Sequence, residues 1–351
     1  MSVNSPFCLQ NELKNNIGVN LPVLFVIVIA CIANLANDLL AVTVLLAFVI
    51  LMYVLILKVR IIDLYFLLSF FLAFFIVAQR FSLSLIFPLL AVNLAIKCRS
   101  ISNVDYCFSV LAIVLVILLK IFFDLDDRIY LDRNHLCLIS IMLLLISPDN
   151  INLTVKLFKL ILFFSALLLL SRTFILFFII FGFSFKLRGF TWLRSKLKMW
   201  HAFSYLLLAT IISASISFAM NLDFFDSEVG NESSRLVEIN DASNKARITA
   251  LITFADYLVK EPVSAFLPVT IEDYQDVYGD VPTPHNTFFA IMFNYGLPMA
   301  LAYLLYIGRL FERIVVSRYF FIIFTPYYLL LGGVLFGPTL MLFCIAARRF
   351  K

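Results

Sequence analysis

Residues 39–57, LLAVTVLLAFVILMYVLIL, carry no charge, no proline and no glycine. A run of about 18 or more such residues fits a helix that crosses a bilayer, because a helix in a soluble core must keep a polar face for water. The rest of the chain agrees. Of its 351 residues, 63% are hydrophobic and only 14% are charged, and the mean hydropathy is +1.03. Such a chain has lipid as its main solvent. That excludes a soluble enzyme, a nucleic-acid binder and a secreted disulfide scaffold. The net charge of +5 is no nucleic-acid signal, since Lys and Arg in membrane proteins mark cytoplasmic loops. The runs are continuous rather than alternating, which excludes a lipid-spanning barrel.

The expected fold class is therefore an all-α polytopic membrane protein with about twelve transmembrane helices, at 19–36, 39–57, 61–79, 82–96, 105–123, 136–147, 155–170, 173–186, 200–220, 287–307, 319–331 and 332–347. The pair 155–170 and 173–186 reads either as two spans around a tight turn or as one long broken helix. Gly332-Gly333 would turn the closing pair. The polar start, with one cation at Lys14, lacks the pattern of a cleaved signal, so the first span is expected to drive insertion. Three units follow: a membrane domain over 1–220 with nine spans, a polar loop over 221–286, and the last three spans with a basic tail over 287–351. Cys8, Cys31, Cys98, Cys107, Cys137 and Cys344 all fall outside the long loop, and most lie in spans, so no disulfide framework is implied.

Charge placement orients this count. With the amino terminus inside, the connections holding Lys58, Arg60, Lys97, Arg99, Lys156 and Lys159 are cytoplasmic. So are those holding Lys186, Arg188, Arg194, Lys196, Lys198, Arg309, Arg313 and Arg318, and the tail with Arg348, Arg349 and Lys351. The acids separate the other way. Segment 221–286 holds 12 of the 22 acidic residues against four cations, and 124–135 (DLDDRIYLDRNH) is also acidic. Both fall outside, with both termini in the cytoplasm.

Within the loop, DASNKARITALITFADYLVK (241–260) spaces Ile248, Leu251, Ile252, Phe254, Tyr257 and Leu258 as an amphipathic helix with Asp241 or Ser243 as its N-cap. It is expected to lie at the membrane interface. The prolines of EPVSAFLP and DVPTPHN end regular structure. Phe254, Tyr257, Tyr274 and Tyr278 either stack on a ligand or pack among themselves.

A few ionisable residues are not explained by topology. His201 beside Trp200 reads as an interfacial anchor, and His135 as a solvated loop residue. His285 puts a titratable ring at the exterior mouth of a span, followed by Asn286, a residue suited to capping that span or to orienting the imidazole. Arg172 stands between two very apolar stretches, where a buried arginine costs about 2.5–3.5 kcal/mol or more and is functional by default. Arg247 lies on the amphipathic helix, either as a solvated charge or as part of a site.

The segment His285-Asn286-x9-Gly296-Leu297-Pro298 resembles the histidine motif of the bacterial O-antigen polymerase and O-antigen ligase superfamily. Ser171-Arg172 resembles that family's Ser-Arg signature, and Arg247 its loop arginine. The likeness covers about the carboxyl-terminal half. The sequence departs from the family's turn after the loop helix (Pro262-Val263-Ser264-Ala265-Phe266) and carries Met299 where ligases usually have Gly, Thr or Tyr. The resemblance implies a C-type glycosyltransferase of the bacterial inner membrane with a periplasmic site. Its donor would be an undecaprenyl-diphosphate-linked oligosaccharide, its acceptor a growing glycan or lipid A-core, and its partner a chain-length regulator protein. No nucleic acid and no cofactor are expected. His285 would be the catalytic base, Arg172 and Arg247 would hold the diphosphate, and Ser171, Asn286 and Gly296 would support the site, with no metal. The looser match favours a polymerase over a ligase. A flippase of lipid-linked oligosaccharides and a structural membrane subunit are the readings from other classes.

Overall fold

The computed structural model describes residues 23–35, 101–123, 133–146, 148, 151–169, 171–186, 195–224, 242–269, 271–279, 286–314, 316–330 and 337–349. The expected spans at 39–57, 61–79 and 82–96, the turn Gly332-Gly333 and the acidic stretch 225–241 lie outside these residues. Among the described residues the chain is all-helical, with no strand beyond one isolated bridge between Lys196 and Ser317. The helices are α1 (Val23–Leu35), α2 (Asn103–Phe123), α3 (Arg133–Leu145), α4 (Leu153–Leu168), α5 (Arg172–Lys186) and α6 (Met199–Phe224). They continue with α7 (Ala242–Lys260), α8 (Ile271–Tyr278), α9 (Thr287–Tyr295), α10 (Leu297–Ile314), α11 (Arg318–Leu330) and α12 (Gly337–Arg349).

Local chemistry sets several of these starts. The Ser102 hydroxyl accepts from the Asp105 amide at 3.1 Å, Asn152 Oδ1 from the Val155 amide at 2.9 Å, and the Ser317 hydroxyl from the Phe320 amide at 3.2 Å. Each satisfies one of the free amides that open a helix. Of the described helices, Asn103–Phe122 in α2 is long and apolar enough to cross a membrane on its own, with 20 residues at a mean hydropathy of 2.4. Shorter apolar helices occupy Val23–Ile32, Arg133–Leu145, Met199–Ser215 and Thr339–Arg348. The described helices are thus compatible with a helical membrane protein, with one of spanning length and apolarity, while the count of twelve spans stays an expectation.

Cross-helix contacts sort the helix ends into two groups. At one end, both carboxylate oxygens of Asp105 accept from α1, from the Leu24 amide at 3.0 Å and the Phe25 amide at 2.8 Å. Nearby, the Tyr106 hydroxyl donates to the Leu143 carbonyl and the Lys159 ammonium to the Leu144 carbonyl, each at 3.1 Å. The segments leading into α6 and α11 are pinned to each other, by Leu197 N to Val316 O at 2.9 Å and Arg318 N to Ser195 O at 3.2 Å. Gly308, late in α10, sits against the Met199 carbonyl where a Cβ would not fit. At the opposite end, the Cys137 thiol meets the Ala166 carbonyl at 3.8 Å, and the side chains of Cys31 and Thr339 hydrogen-bond. Phe311, Phe320, Phe324 and Phe343 close a core seam between α10, α11 and α12, with ring centroids 4.6–5.2 Å apart.

The Asp105 contact makes a prediction. Asp105→Asn keeps one acceptor oxygen but puts an NH2 group where the second amide needs an acceptor. Thermal unfolding of the purified protein should show a loss of about 1–3 kcal/mol, the cost of a buried donor left unpaired.

The choice between two spans and one broken helix at 155–186 is resolved for two, and two other expectations need revision. Phe163 in α4 reaches Phe178 in α5 at 5.3 Å between ring centroids. In one continuous helix those residues would stand about 22 Å apart at 1.5 Å per residue, so 155–170 and 173–186 are two helices folded back on each other. The expected span 287–307 is broken at Gly296 into α9 and α10. His135, expected in a solvated loop, lies half-buried in the first turn of α3.

Candidate functional site

The nine residues that separate Asn286 from Gly296 are one nine-residue helix, α9. Asn286 is its N-cap, with backbone angles of −69° and 134° and a side-chain oxygen that accepts from the Phe288 amide at 2.9 Å. The capping alternative for Asn286 is therefore the one realised. Gly296 ends the helix with φ at +81° and ψ at 163°, a backbone region open to glycine and scarcely to other residues. Its amide closes back on the Met292 carbonyl at 2.8 Å. Pro298 falls in the first turn of α10, where a missing amide hydrogen costs nothing.

Gly296 is also a point of close approach. A Cβ there would run into the Phe266 carbonyl and lie 3.1 Å from the Leu267 amide nitrogen. Just beyond, the Val269 amide donates to the Phe293 carbonyl at 2.9 Å. The stretch after α7 is thus strapped to the junction of α9 and α10. It runs through a 3-10 turn at Pro262–Ala265.

The polar loop is mostly folded where it is described. α7 begins at Ala242, close to the expected start, with Ser243 inside its first turn, while Asp241 lies outside the described residues. The prolines do not end regular structure altogether, because α8 follows at Ile271–Tyr278. The loop aromatics pack among themselves rather than presenting a platform. Phe254, Tyr257 and Tyr274 are buried, and Tyr274 contacts Tyr257, Tyr278 and Phe293 at 5.5, 5.5 and 5.2 Å. Phe254 meets Phe293 at 5.5 Å. An aromatic pair contributes about 0.5–1.5 kcal/mol beyond area burial, and the two that Phe293 makes with Phe254 and Tyr274 hold α9 against the loop. Burial pushes the Tyr274 phenol up to about 12, which keeps it neutral.

A polar clasp covers this cluster, and sequence reasoning missed it. The Tyr278 hydroxyl donates to Asp256 Oδ2 at 2.6 Å, and Lys260 reaches the same oxygen at 2.8 Å and lies 5.0 Å from the centre of the Tyr278 ring. The four-residue spacing of Asp256 and Lys260 was readable; the third member, on another helix, was not. Hydrogen bonds from Lys260 and Tyr278 hold the Asp256 carboxyl below its ordinary value. A carboxyl with a depressed folded-state value contributes stability above its unfolded value and loses it as pH falls through the folded one. Amide exchange in α8 should therefore rise as pH drops below the usual carboxylate range, and Asp256→Asn should remove that dependence. The clasp is exposed, so the effect should be small.

The other candidate residues are placed as follows. Ser171 is buried ahead of α5, and its hydroxyl donates to Asn134 Oδ1 at 2.8 Å, which ties the α4–α5 turn to the start of α3. Arg172 is the first residue of α5. Arg247 lies on α7, one turn before the buried Ala250 and Leu251 in sequence. The side chains of Arg172 and Arg247, and all of His285, lie outside the described residues. Helix α5 packs on α3 and α11, whereas α7 and α9 pack on α6 and α10; α11 touches both α5 and α6. Along these contacts α11 and α6 stand between α5 and α7, so two helices separate the two parts of the candidate site. His201, on α6, is exposed, with its Nδ1 3.5 Å from Arg318 Nη2; it stands beside an exposed Trp200, as an interfacial anchor would.

No protein-family model matches the chain, and comparison with curated proteins and with solved structures returns no match.

Proposed function

We propose that the chain is a membrane glycosyltransferase that extends a surface polysaccharide of the O-antigen type, joining undecaprenyl-diphosphate-linked repeat units at the periplasmic face of a bacterial inner membrane. The observation that carries this reading is the build of the His-Asn-x9-Gly segment. Its spacing corresponds to one helix, with a side-chain cap behind His285 and a glycine at the far end on which the loop strap rests. The ends of α10 support the orientation, since Arg309 and Arg313 lie toward its far end, where Gly308 meets Met199 just after Lys196 and Lys198, away from the α7–α9 loop.

The chemistry divides between two kinds of residue. His285, neutral near pH 7, takes the proton from an acceptor sugar hydroxyl as its oxygen bonds to the anomeric carbon of the donor. The bond from that carbon to the diphosphate oxygen breaks, and undecaprenyl diphosphate leaves with the electron pair. Attack from the opposite face inverts the anomeric centre. Arginine suits the leaving group, being permanently charged and able to grip two phosphate oxygens at once. Arg172 takes this role with Arg247 in support, Ser171 fixes the turn that carries Arg172, and the two cations stand in for a divalent metal.

The test is transfer by the purified protein reconstituted with a lipid-linked donor. Lengthened lipid-linked glycan supports the polymerase, transfer to lipid A-core makes the chain a ligase, and movement of donor across the bilayer without transfer makes it a flippase.

A further inference from the structure

The strap that rests on Gly296 has a second face. Val259, Val263, Phe266 and Leu267 are 50–78% exposed, and Pro262 between them is exposed as well. They follow one another from the last turn of α7 through the 3-10 turn to the bend after it, a short exposed apolar stripe of chain. Earlier turns of α7 bury Ala250, Leu251, Phe254 and Tyr257. The unit formed by α7, the 3-10 turn and α8 thus buries one apolar set against protein and exposes another. Contiguous exposed apolar surface of this kind marks a contact with something other than water.

The position of the stripe says what that is. The Phe266 carbonyl lies against Gly296, the residue before α10. Helix α10 has 18 residues, about 27 Å at 1.5 Å per residue, and its charges, Arg309, Glu312 and Arg313, all lie in the last six, so its apolar part begins at the Gly296 end. Its far part, at Gly308, meets the start of α6. If α10 crosses the bilayer, its first residue marks one boundary, and Phe266 and Leu267 stand beside that boundary. The charges beside the turn do not favour an anionic surface, because α8 exposes Glu272, Asp273 and Asp276, and Lys260 at the end of α7 is paired with Asp256.

We propose that the stripe of Val259, Pro262, Val263, Phe266 and Leu267 seats in the acyl–headgroup boundary of the bilayer on the loop's side, held by apolar burial rather than by charge. This makes the turn a lipid-anchored strap that fixes the depth of the α9–α10 junction. The inference rests on the reading that the helical bundle, α10 included, lies in a membrane.

The experiment uses the full chain in nanodiscs of zwitterionic phosphatidylcholine, with Trp192 and Trp200 replaced by phenylalanine, and measures quenching of single introduced tryptophans by brominated acyl chains. Phe266→Trp and Val263→Trp, which keep apolar bulk, are the probes. Leu115→Trp on the exposed face of α2 is the membrane reference, and Glu272→Trp on α8 is the water reference. Quenching at 263 or 266 within about twofold of that at 115, and well above that at 272, is the expected result. Quenching at both no greater than at 272 overturns the lipid seat and leaves the stripe to water or to a protein partner. Absence of quenching at 115 as well overturns the membrane reading of the bundle and the seat with it.

Discussion

Replacing His285 with alanine is expected to lower glycan transfer by about 10²–10⁴-fold, the usual contribution of a positioned general base, while the amount of folded protein in the membrane stays the same. The second half of that expectation comes from α9. Its first turn is completed by Asn286, whose side chain accepts from the Phe288 amide, and its far end by Gly296. Neither task falls to the histidine. The loss should appear mainly in kcat, and the acid limb of the pH–rate profile, set by a group that must be unprotonated, should disappear with it. Transfer at the normal rate in this variant would remove His285 from the mechanism, and with it the main support for the proposed reaction.

The second large effect is expected at Gly296, and it is structural. Gly296→Ala brings two costs. The backbone angles are ones that a side chain strongly disfavours, at about 1–3 kcal/mol, and the new Cβ meets the Phe266 carbonyl, which belongs to backbone and cannot swing away. The strap must lift, so the junction of α9 and α10 should become sensitive to protease near residues 262–269 and the melting temperature should fall. Gly279 is the control. It too has a positive φ, of 69°, but nothing lies within 4 Å of its Cβ position. Gly279→Asn should therefore be mild, since asparagine tolerates this region, while Gly296→Asn should be severe. Equal stability of the two variants would show that the close approach to Phe266 has no energetic weight.

What was readable in the sequence was whatever depends on neighbours along the chain. Apolar runs announce helices, Asn286 announces a cap, and the spacing of Leu251, Phe254 and Leu258 places α7 within a residue of its start. The break at Gly296 was hidden because MFNYGLPMA stays apolar through it, and a single glycine in an apolar helix costs only about 1 kcal/mol. Helix α8 was hidden by its length: eight residues with one fully buried side chain, Tyr274, show no period, and its acids read as loop. The packing role of the loop aromatics could not be separated from a ligand-stacking role by residue type alone. The candidate site is legible in the same partial way. Composition and spacing select His285, Arg172 and Arg247, but the Ser171–Asn134 and Tyr278–Asp256 pairings link residues 37 and 22 positions apart, and nothing local records them.

The carboxylate of Asp105 has a consequence for how the protein is made. It completes the first amides of α1 from 80 and 81 residues farther along the chain. At synthesis rates of about 5–20 residues per second, α1 leaves the ribosome roughly 4–16 s before the group that finishes its amino-terminal turn. During that interval two backbone donors of the first helix depend on headgroups, water or the insertion machinery. The end of α1 is thus a late product of assembly, and a nascent chain halted before residue 105 should hold this helix only loosely, however apolar its sequence.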